Sequence, residues 1–307
     1  MSPTRPIALT IGVFDGLHRG HQAVVQATIH AAHRLSGSAL VATFDPHPDT
    51  VVRQSPPRPW ITPPEERADL LHAMGVDRVE IIRFSREIQA LSPEDFLDRI
   101  LGPAAPLKAM ILGPDFHMGR DRIGDRPYLE RLGRERGFGV QEVPFLTGEE
   151  GKLSSTLLRR EITSGRMEAA AQMMGRRFSL EGRVGSGAGR GTELGYPTAN
   201  LEIHPEKLLP SPGIYLSSNE VGQSTWPGIT YVGRAGTFGP GPVRVEVYLL
   251  DFRESLRGER MKTLLISQIR ADQVFGSSRE LISAMEQDVA HARQYWAGSK
   301  VAKPARS

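Results

Sequence analysis

The 307-residue chain contains no cysteine. Disulfides, thiolate metal sites and cysteine nucleophiles are thereby excluded together, and His, Asp and Glu remain as the strong metal ligands. A reducing compartment suits such a chain, so we expect a cytoplasmic protein. Aromatic residues are scarce, at 7%, which argues against the basic stripe interleaved with exposed rings that a nucleic-acid-binding β-barrel needs. Neither sign of charge dominates: 38 Lys plus Arg against 35 Asp plus Glu leave +3 at pH 7. The pI of about 9.3 therefore rests on an excess too small to imply a polyanionic partner by itself. Long apolar runs are also missing, since a spanning helix needs roughly 18 such residues. The opening stretch Ile7 to Phe14 is broken by Thr10 and Gly12 and reads as a buried strand rather than an export signal. We expect no nucleic-acid partner and no membrane.

What is abundant is glycine, at 32 residues, together with two distinct periodicities. At roughly 150 residues per domain the length predicts two domains. In the first half, Ile7 to Val13, Ala39 to Phe44, Val79 to Phe84, Ala109 to Leu112 and Val140 to Val143 are strand candidates separated by helices. Thr62-Pro63-Pro64-Glu65 and Ser92-Pro93-Glu94-Asp95 have the spacing of capped helix starts, and Gly75, Gly102 and Gly137 stand where helices should stop. This rhythm predicts an α/β domain over 1–175: a Rossmann-like parallel sheet with helices on both faces, which binds ligands beyond the carboxyl ends of its strands. After about Gly175 the period becomes two, as in Phe178, Leu180, Gly182, Val184 and in Val243, Val245, Val247, Leu249. A small antiparallel β-barrel is expected over 176–307, closed by a helix that starts at the Ser277/Glu280 capping box and carries the stripe Leu281, Ile282, Met285, Val289, Ala292, Trp296. The acid-free last ten or so residues should form a frayed tail.

The strongest chemical signal is Gly12-Val13-Phe14-Asp15-Gly16-Leu17-His18-Arg19-Gly20-His21 at the exit of the first strand. A glycine-rich turn into a helix presents backbone N–H groups and the positive helix end to an anion, so Gly12, Phe14, Asp15 and Gly20 become candidate nucleotide contacts, and both histidines can face the phosphates. Gly20 leaves room for close approach of a phosphate or ribose. The plain alternative is that His18 and His21 cap or pack the helix start. A second glycine run, Gly185-Ser186-Gly187-Ala188-Gly189-Arg190-Gly191, is no Rossmann fingerprint, because its glycines alternate and no helix follows. It reads as a loop between strands. Glu246 alternates with Val245 and Val247 and so falls on the opposite face, where an acid facing solvent is the simplest reading.

These elements together resemble the bifunctional riboflavin kinase/FAD synthetases of prokaryotes, and His18-Arg19-Gly20-His21 resembles the wider nucleotidyltransferase superfamily. The resemblance runs from Ile7 to Trp296 and includes Phe44-Asp45-Pro46-His47-Pro48, Gly113-Pro114-Asp115-Phe116-His117-Met118-Gly119, Ser154-Ser155-Thr156-Leu157-Leu158-Arg159 and Leu194-Gly195-Tyr196-Pro197-Thr198-Ala199-Asn200. It implies an adenylyltransferase half that joins FMN to ATP, with His18, His21 and Arg159 on the phosphates and Ser155 and Thr156 contributing hydroxyls at a helix start. Asp115 falls where the family contacts the flavin, and Asp45 and His47, on the same sheet edge, are assigned to it also. For the second half the resemblance implies a riboflavin kinase of barrel type. There the glycines at 185, 187, 189 and 191 cover the ATP phosphates, Thr198 and Asn200 hold Mg²⁺, and Glu246 takes the proton from the flavin hydroxyl. ATP is co-substrate of both steps and Mg²⁺ serves both. The chain departs from the family pattern at Thr192, Gly236 and Arg257.

An FAD synthetase with a degenerate kinase-like second domain is the alternative inside this class. From other classes, the basic tail and barrel raise nucleic-acid binding, and the seven histidines before residue 118 raise a histidine metal site. The composition speaks against the first. Against the second, His30 and His33 share an ordinary helix.

Overall fold

The computed structural model describes residues 5–102, 106–145, 147–148, 151–186, 195–234 and 243–298. Gly187, Gly189, Gly191, Thr192, Gly236 and the expected frayed tail lie outside them. Two compact units divide at Ser155/Thr156.

In the first unit, β1 (Ile7–Ile11), β2 (Ser38–Asp45), β3 (Arg78–Arg83), β4 (Leu107–Leu112) and β5 (Gly139–Glu142) make a five-stranded sheet of order β3-β2-β1-β4-β5. All four pairings are parallel. The central strands are buried on both faces, which is why they read as continuous apolar runs. On one face Leu9, Leu40 and Met110 pack with Phe96 and Leu97 of α5 (Pro93–Leu101) and Leu129 of α6 (Arg126–Arg136). On the other, Ala8, Val41 and Ile111 pack with Val25 and Ile29 of α1 (Arg19–Arg34) and Leu71 of α3 (Pro64–Ala73). The strand order reverses between β1 and β4, which opens a crevice at their carboxyl ends. Short helices α2 (Pro48–Val52) and α4 (Arg86–Gln89) and the small hairpin β6 (Thr147–Gly148) and β7 (Gly151–Lys152) complete this unit.

Two local expectations need correction. β1 stops at Ile11 rather than Val13, because beyond Gly12, whose N–H still reaches the Ala42 carbonyl at 3.0 Å, the chain turns into a loop with positive φ at Phe14, Gly16 and Leu17. The cap of α3 is Pro63, not Thr62, since the Thr62 hydroxyl is engaged elsewhere. Ser92 does cap α5 through the Asp95 N–H at 3.1 Å, and Gly137 closes α6 in the left-handed conformation.

α7 (Ser155–Thr163), which begins at the last residue of the first unit, and α8 (Met167–Met174) precede the strands β8 (Phe178–Gly185), β9 (Ala199–Ile203), β10 (Gly213–Val221), β11 (Ser224–Arg234), β12 (Val243–Leu249) and β13 (Arg260–Ala271) of the second unit. These close a barrel in the order β10-β11-β12-β9-β8-β13, antiparallel throughout. Phe178, Leu180, Tyr215, Val245, Val247 and Leu265 are buried on the period-two positions. Four polar side chains, Ser217, Asn219, Thr230 and Thr263, are wholly buried with them. Thr230 Oγ1 donates to Ser217 Oγ at 2.9 Å, and Asn219 Nδ2 donates to Ser217 Oγ and to the Trp226 carbonyl, both at 3.2 Å.

The last helix, α9 (Ser278–Ala297), starts at the Ser277 cap and lays Val289, Ala292 and Trp296 on Leu216, Ile229 and Ile266 of the barrel. A two-point ion pair pins it, with Arg270 Nε 3.0 Å from Asp288 Oδ1 and Nη2 2.8 Å from Oδ2. The Asp288 side chain is only 4% exposed, so truncating it strands a partly buried guanidinium. Asp288→Ala should destabilise the barrel by about 3 kcal/mol. Scanning calorimetry of the full chain should show the barrel transition falling while that of the sheet unit stays; an unmoved barrel transition would show that the helix does not depend on the pair.

Candidate functional site

The loop from Gly12 to His18 leaves β1 at the switch point and is held from beneath by residues of β2, of α3 and of the segment between them. The Arg67 side chain is fully buried; its Nη1 donates to the Val13 carbonyl at 2.6 Å and its Nη2 to the Phe44 carbonyl at 2.9 Å, while its guanidinium lies 4.6 Å from the centre of the Trp60 ring. Burial lowers its pKa to about 10, opposed by the fields of Asp15, Asp45 and Glu65. Thr43 Oγ1 also donates to the Val13 carbonyl, at 2.9 Å. Asp15 is buried as well: its Oδ1 accepts from the Thr62 N–H at 3.0 Å, and Thr62 Oγ1 accepts from the Gly16 N–H at 2.9 Å. Arg67 and Thr62 are the residues that sequence reasoning missed. The one available signal was the proline pair after Thr62, which leaves that hydroxyl free of the helix start.

His18 caps α1, its Nδ1 accepting from the His21 N–H at 3.3 Å. In the neutral ring this leaves the proton on Nε2. The two imidazoles stack with centroids 3.7 Å apart, and Phe14 meets His21 edge-on at 5.4 Å. The capping alternative therefore holds for His18. His21 Nδ1 is buried with no hydrogen-bond partner among the described residues. Its pKa lies well below the usual 6.5, first through burial, then through the fields of His18 and Arg67. A Cβ on Gly20 would stand 3.1 Å from the His18 ring, and one on Gly12 would stand 2.9 Å from the Phe14 ring, so both glycines make room for neighbouring rings.

Asp45 ends β2, and His47 caps α2 through the Asp49 N–H at 3.1 Å, with its ring 5.7 Å from Trp60. Asp115 follows β4 with positive φ, exposed, its carbonyl 2.9 Å from His117 Nδ1. Parallel pairing puts all three at the same sheet edge as the β1 loop. Ser155 opens α7, and its hydroxyl donates to the Asp15 carbonyl at 2.9 Å. Thr156 is the next residue of that helix, and Arg159 lies a turn further on.

In the barrel, Glu246 of β12 stands opposite Asn200 of β9, and its Oε2 accepts from Thr198 Oγ1 at 3.3 Å. Its side chain is 26% exposed, with Arg244 Nη1 3.9 Å from Oε1. Glu246 is thus gathered with Thr198 and Asn200 rather than left among solvent-facing acids. Tyr231 of β11, which the sequence did not single out, faces Glu246 across the ladder and donates to Asp272 Oδ2 at 3.1 Å. Its pKa is pushed up to about 12, first by burial, then by Asp272. A cleft of about 350 Å³ beside this cluster is lined by Gly185, Thr198, Asn200, Phe252 and Arg257. Among the described residues no three His, Asp or Glu side chains converge as a metal site, and His30 and His33 lie exposed on α1. Among those residues, too, no helix is long and apolar enough to cross a membrane.

A parallel sheet that brings a helix amino end and two stacked imidazoles to its switch point is built to handle a nucleotide, and a carboxylate beside a hydroxyl and an amide suits transfer to an alcohol. The class is that of nucleotide-dependent transferases. Comparison with known proteins narrows it. A model of the FAD synthetase family matches residues 1–157, and one of the riboflavin kinase family matches 174–296. A bifunctional riboflavin kinase/FMN adenylyltransferase of Pseudomonas fluorescens is 34% identical, with 94% of this chain and 93% of that protein covered. One of the same description from Escherichia coli K12 is 30% identical, covering 98% and 96%. A solved structure from Streptococcus pneumoniae, described as a macrolide-efflux protein, superposes with a TM-score of 0.82 at 28% identity, over 95% of each chain. The chain belongs to the bifunctional riboflavin kinase/FMN adenylyltransferase family. Both halves of that family are present, which favours two activities over an FAD synthetase with a degenerate partner domain.

The depressed His21 pKa has a stability consequence. The folded chain resists protonating this ring, so its contribution is fully present above pH 6.5 and is lost as pH falls from there towards the lower folded value. Imidazole NMR titration should place the His21 midpoint well below 6.5. A His21 midpoint at the usual value would refute the burial argument.

Proposed function

We propose that residues 1–175 adenylylate FMN and residues 176–307 phosphorylate riboflavin, both with ATP, through the two clusters described above. The observation that carries the first step is the His18/His21 stack at the amino end of α1. An FMN phosphate oxygen attacks the α-phosphorus of ATP, the bond to the bridging oxygen breaks, and pyrophosphate leaves. No protein nucleophile is required, so catalysis is positioning and charge stabilisation. His18 donates from Nε2 to a phosphate oxygen, and neutral His21 does likewise. Arg159 clamps the departing pyrophosphate with its planar fork, beside the hydroxyls of Ser155 and Thr156. Gly12, Phe14, Asp15 and Gly20 keep the loop and its rings in shape for ATP. Asp45, His47 and Asp115 serve the flavin side.

In the second step the 5′-hydroxyl of riboflavin attacks the γ-phosphorus, ADP leaves, and Glu246 accepts the hydroxyl proton. The reading rests on the Thr198–Glu246 contact with Asn200 opposite. Thr198 and Asn200 offer neutral oxygens, a donor set that fits Mg²⁺ completed by phosphate oxygens. Bound there, Mg²⁺ neutralises charge on the transferring phosphate. Gly185, at the end of β8, serves the ATP phosphates, and the same role is assigned to Gly187, Gly189 and Gly191. Riboflavin, FMN and ATP account for both clusters without a nucleic-acid or membrane partner, and a cysteine-free chain suits the cytoplasm.

Given riboflavin and MgATP, the purified chain should yield FMN and then FAD by chromatography. Glu246→Gln should slow FMN formation by about 10² to 10⁴-fold and leave FAD formation from supplied FMN intact. Arg159→Ala should do the reverse, slowing FAD formation by roughly 10² to 10³-fold. Equal loss of both products in either variant would contradict the division of labour.

A further inference from the structure

We propose that Arg67 is a positioning residue for adenylyl transfer: from beneath the site it bridges the carbonyls of Val13 and Phe44 and so fixes the loop that carries His18 and His21. The inference rests on the assignment of that loop to the nucleotide. Arg67 touches no reacting atom, and its position is what distinguishes it. The Val13 carbonyl lies two residues past the end of β1 and the Phe44 carbonyl near the end of the neighbouring β2, at the sheet edge where the ligand binds. One planar fork satisfies both at once, whereas a lysine ammonium is a single point on a flexible stem. The Val13 carbonyl is held twice, by Arg67 Nη1 and by Thr43 Oγ1, which leaves the following residues little freedom.

A wholly buried cation is a costly way to tie two carbonyls if packing is the only need, and an apolar residue of similar volume would fill the space under Trp60. The arginine adds a permanent positive charge whose field reaches His21 and favours its neutral form. His21 is faced by the His18 ring from the loop, the Phe14 edge from the same loop and Arg67 from α3. Of these, Arg67 is the only fixed charge. A misplacement of about 1 Å at reacting groups suffices for a rate loss of about 10²-fold, so loosening this loop should register in turnover well before it registers in the fold.

The test compares the full chain with Arg67→Lys, Arg67→Met and His21→Ala. Steady-state FAD formation from FMN and ATP, calorimetry of the sheet unit and imidazole NMR are read for each. We expect kcat to fall by at least about tenfold in both Arg67 variants, with KM for FMN unchanged. The His21 midpoint should rise towards 6.5 in Arg67→Met, which loses the charge, and stay low in Arg67→Lys, which keeps it. Should Arg67→Met fail to fold, Arg67→Lys decides by its kcat. Wild-type kcat in a folded Arg67→Lys overturns the proposal, as does an unmoved His21 midpoint in a folded Arg67→Met. Full activity in His21→Ala would instead remove the nucleotide-loop assignment on which the proposal stands.

Discussion

The amino-terminal site depends on a charge that never meets solvent. Arg67 ties the exits of β1 and β2, and around it the segment Trp60 to Thr62 supplies a ring face, an N–H and a hydroxyl to the same loop. The loop needs that support. Phe14 and Leu17 sit at φ of 51° and 40°, a region in which side-chain-bearing residues are uncommon and which costs on the order of 1 kcal/mol or more each. They stay there because Val13, Asp15 and Gly16 are each fastened from below. The strain has a use, since it turns the chain from the end of β1 into the His18 cap within a few residues and places the second imidazole over the first.

The barrel reaches a comparable arrangement by another route. Its cluster is held by the sheet ladder rather than by a buried ion: Glu246 and Asn200 are cross-strand neighbours, and Thr198 precedes the short strand that carries Asn200. β9 pairs with β12 and β8 over only a few residues, so the metal-ligand candidates lie next to the end of regular structure. Tyr231 and Arg244 flank the carboxylate on the same outer surface. A carboxylate with one hydroxyl donor and a cation about 4 Å away keeps acceptor capacity on its oxygens.

Much of this was legible in sequence because it depends on local pattern. Period two marked the barrel strands, apolar runs marked the doubly covered sheet, and Ser92, Ser277 and Gly137 stood at the helix ends their chemistry suits. The reach of side chains across the fold was not legible. Thr62 has the local signature of a cap, yet its hydroxyl goes to Gly16, 46 residues away in sequence. Arg67 sits in a helix that also carries Glu65, Glu66 and Asp69, so nothing local marks it, and only the folded sheet reveals that it points inward. Gly20 was read as space for a ligand, and a Cβ there would also stand 3.1 Å from the His18 ring. For Thr62 and Arg67 the deciding partner comes from another strand or loop, and no local spacing encodes it.

Three of the buried polar side chains of the barrel give the domain a way to count. Apolar alternation distinguishes the inward from the outward face, but it is blind to a slip of two residues, which restores the same alternation. Ser217, Asn219 and Thr230 are not blind to it. Their hydrogen bonds join β10 to β11, and the Asn219 amide also reaches the Trp226 carbonyl, so a two-residue slip would leave a buried amide and two hydroxyls without their partners. The network thus acts as a key that admits one pairing of these strands, and β11 in that pairing sets the register of β12 and hence where Glu246 comes to stand.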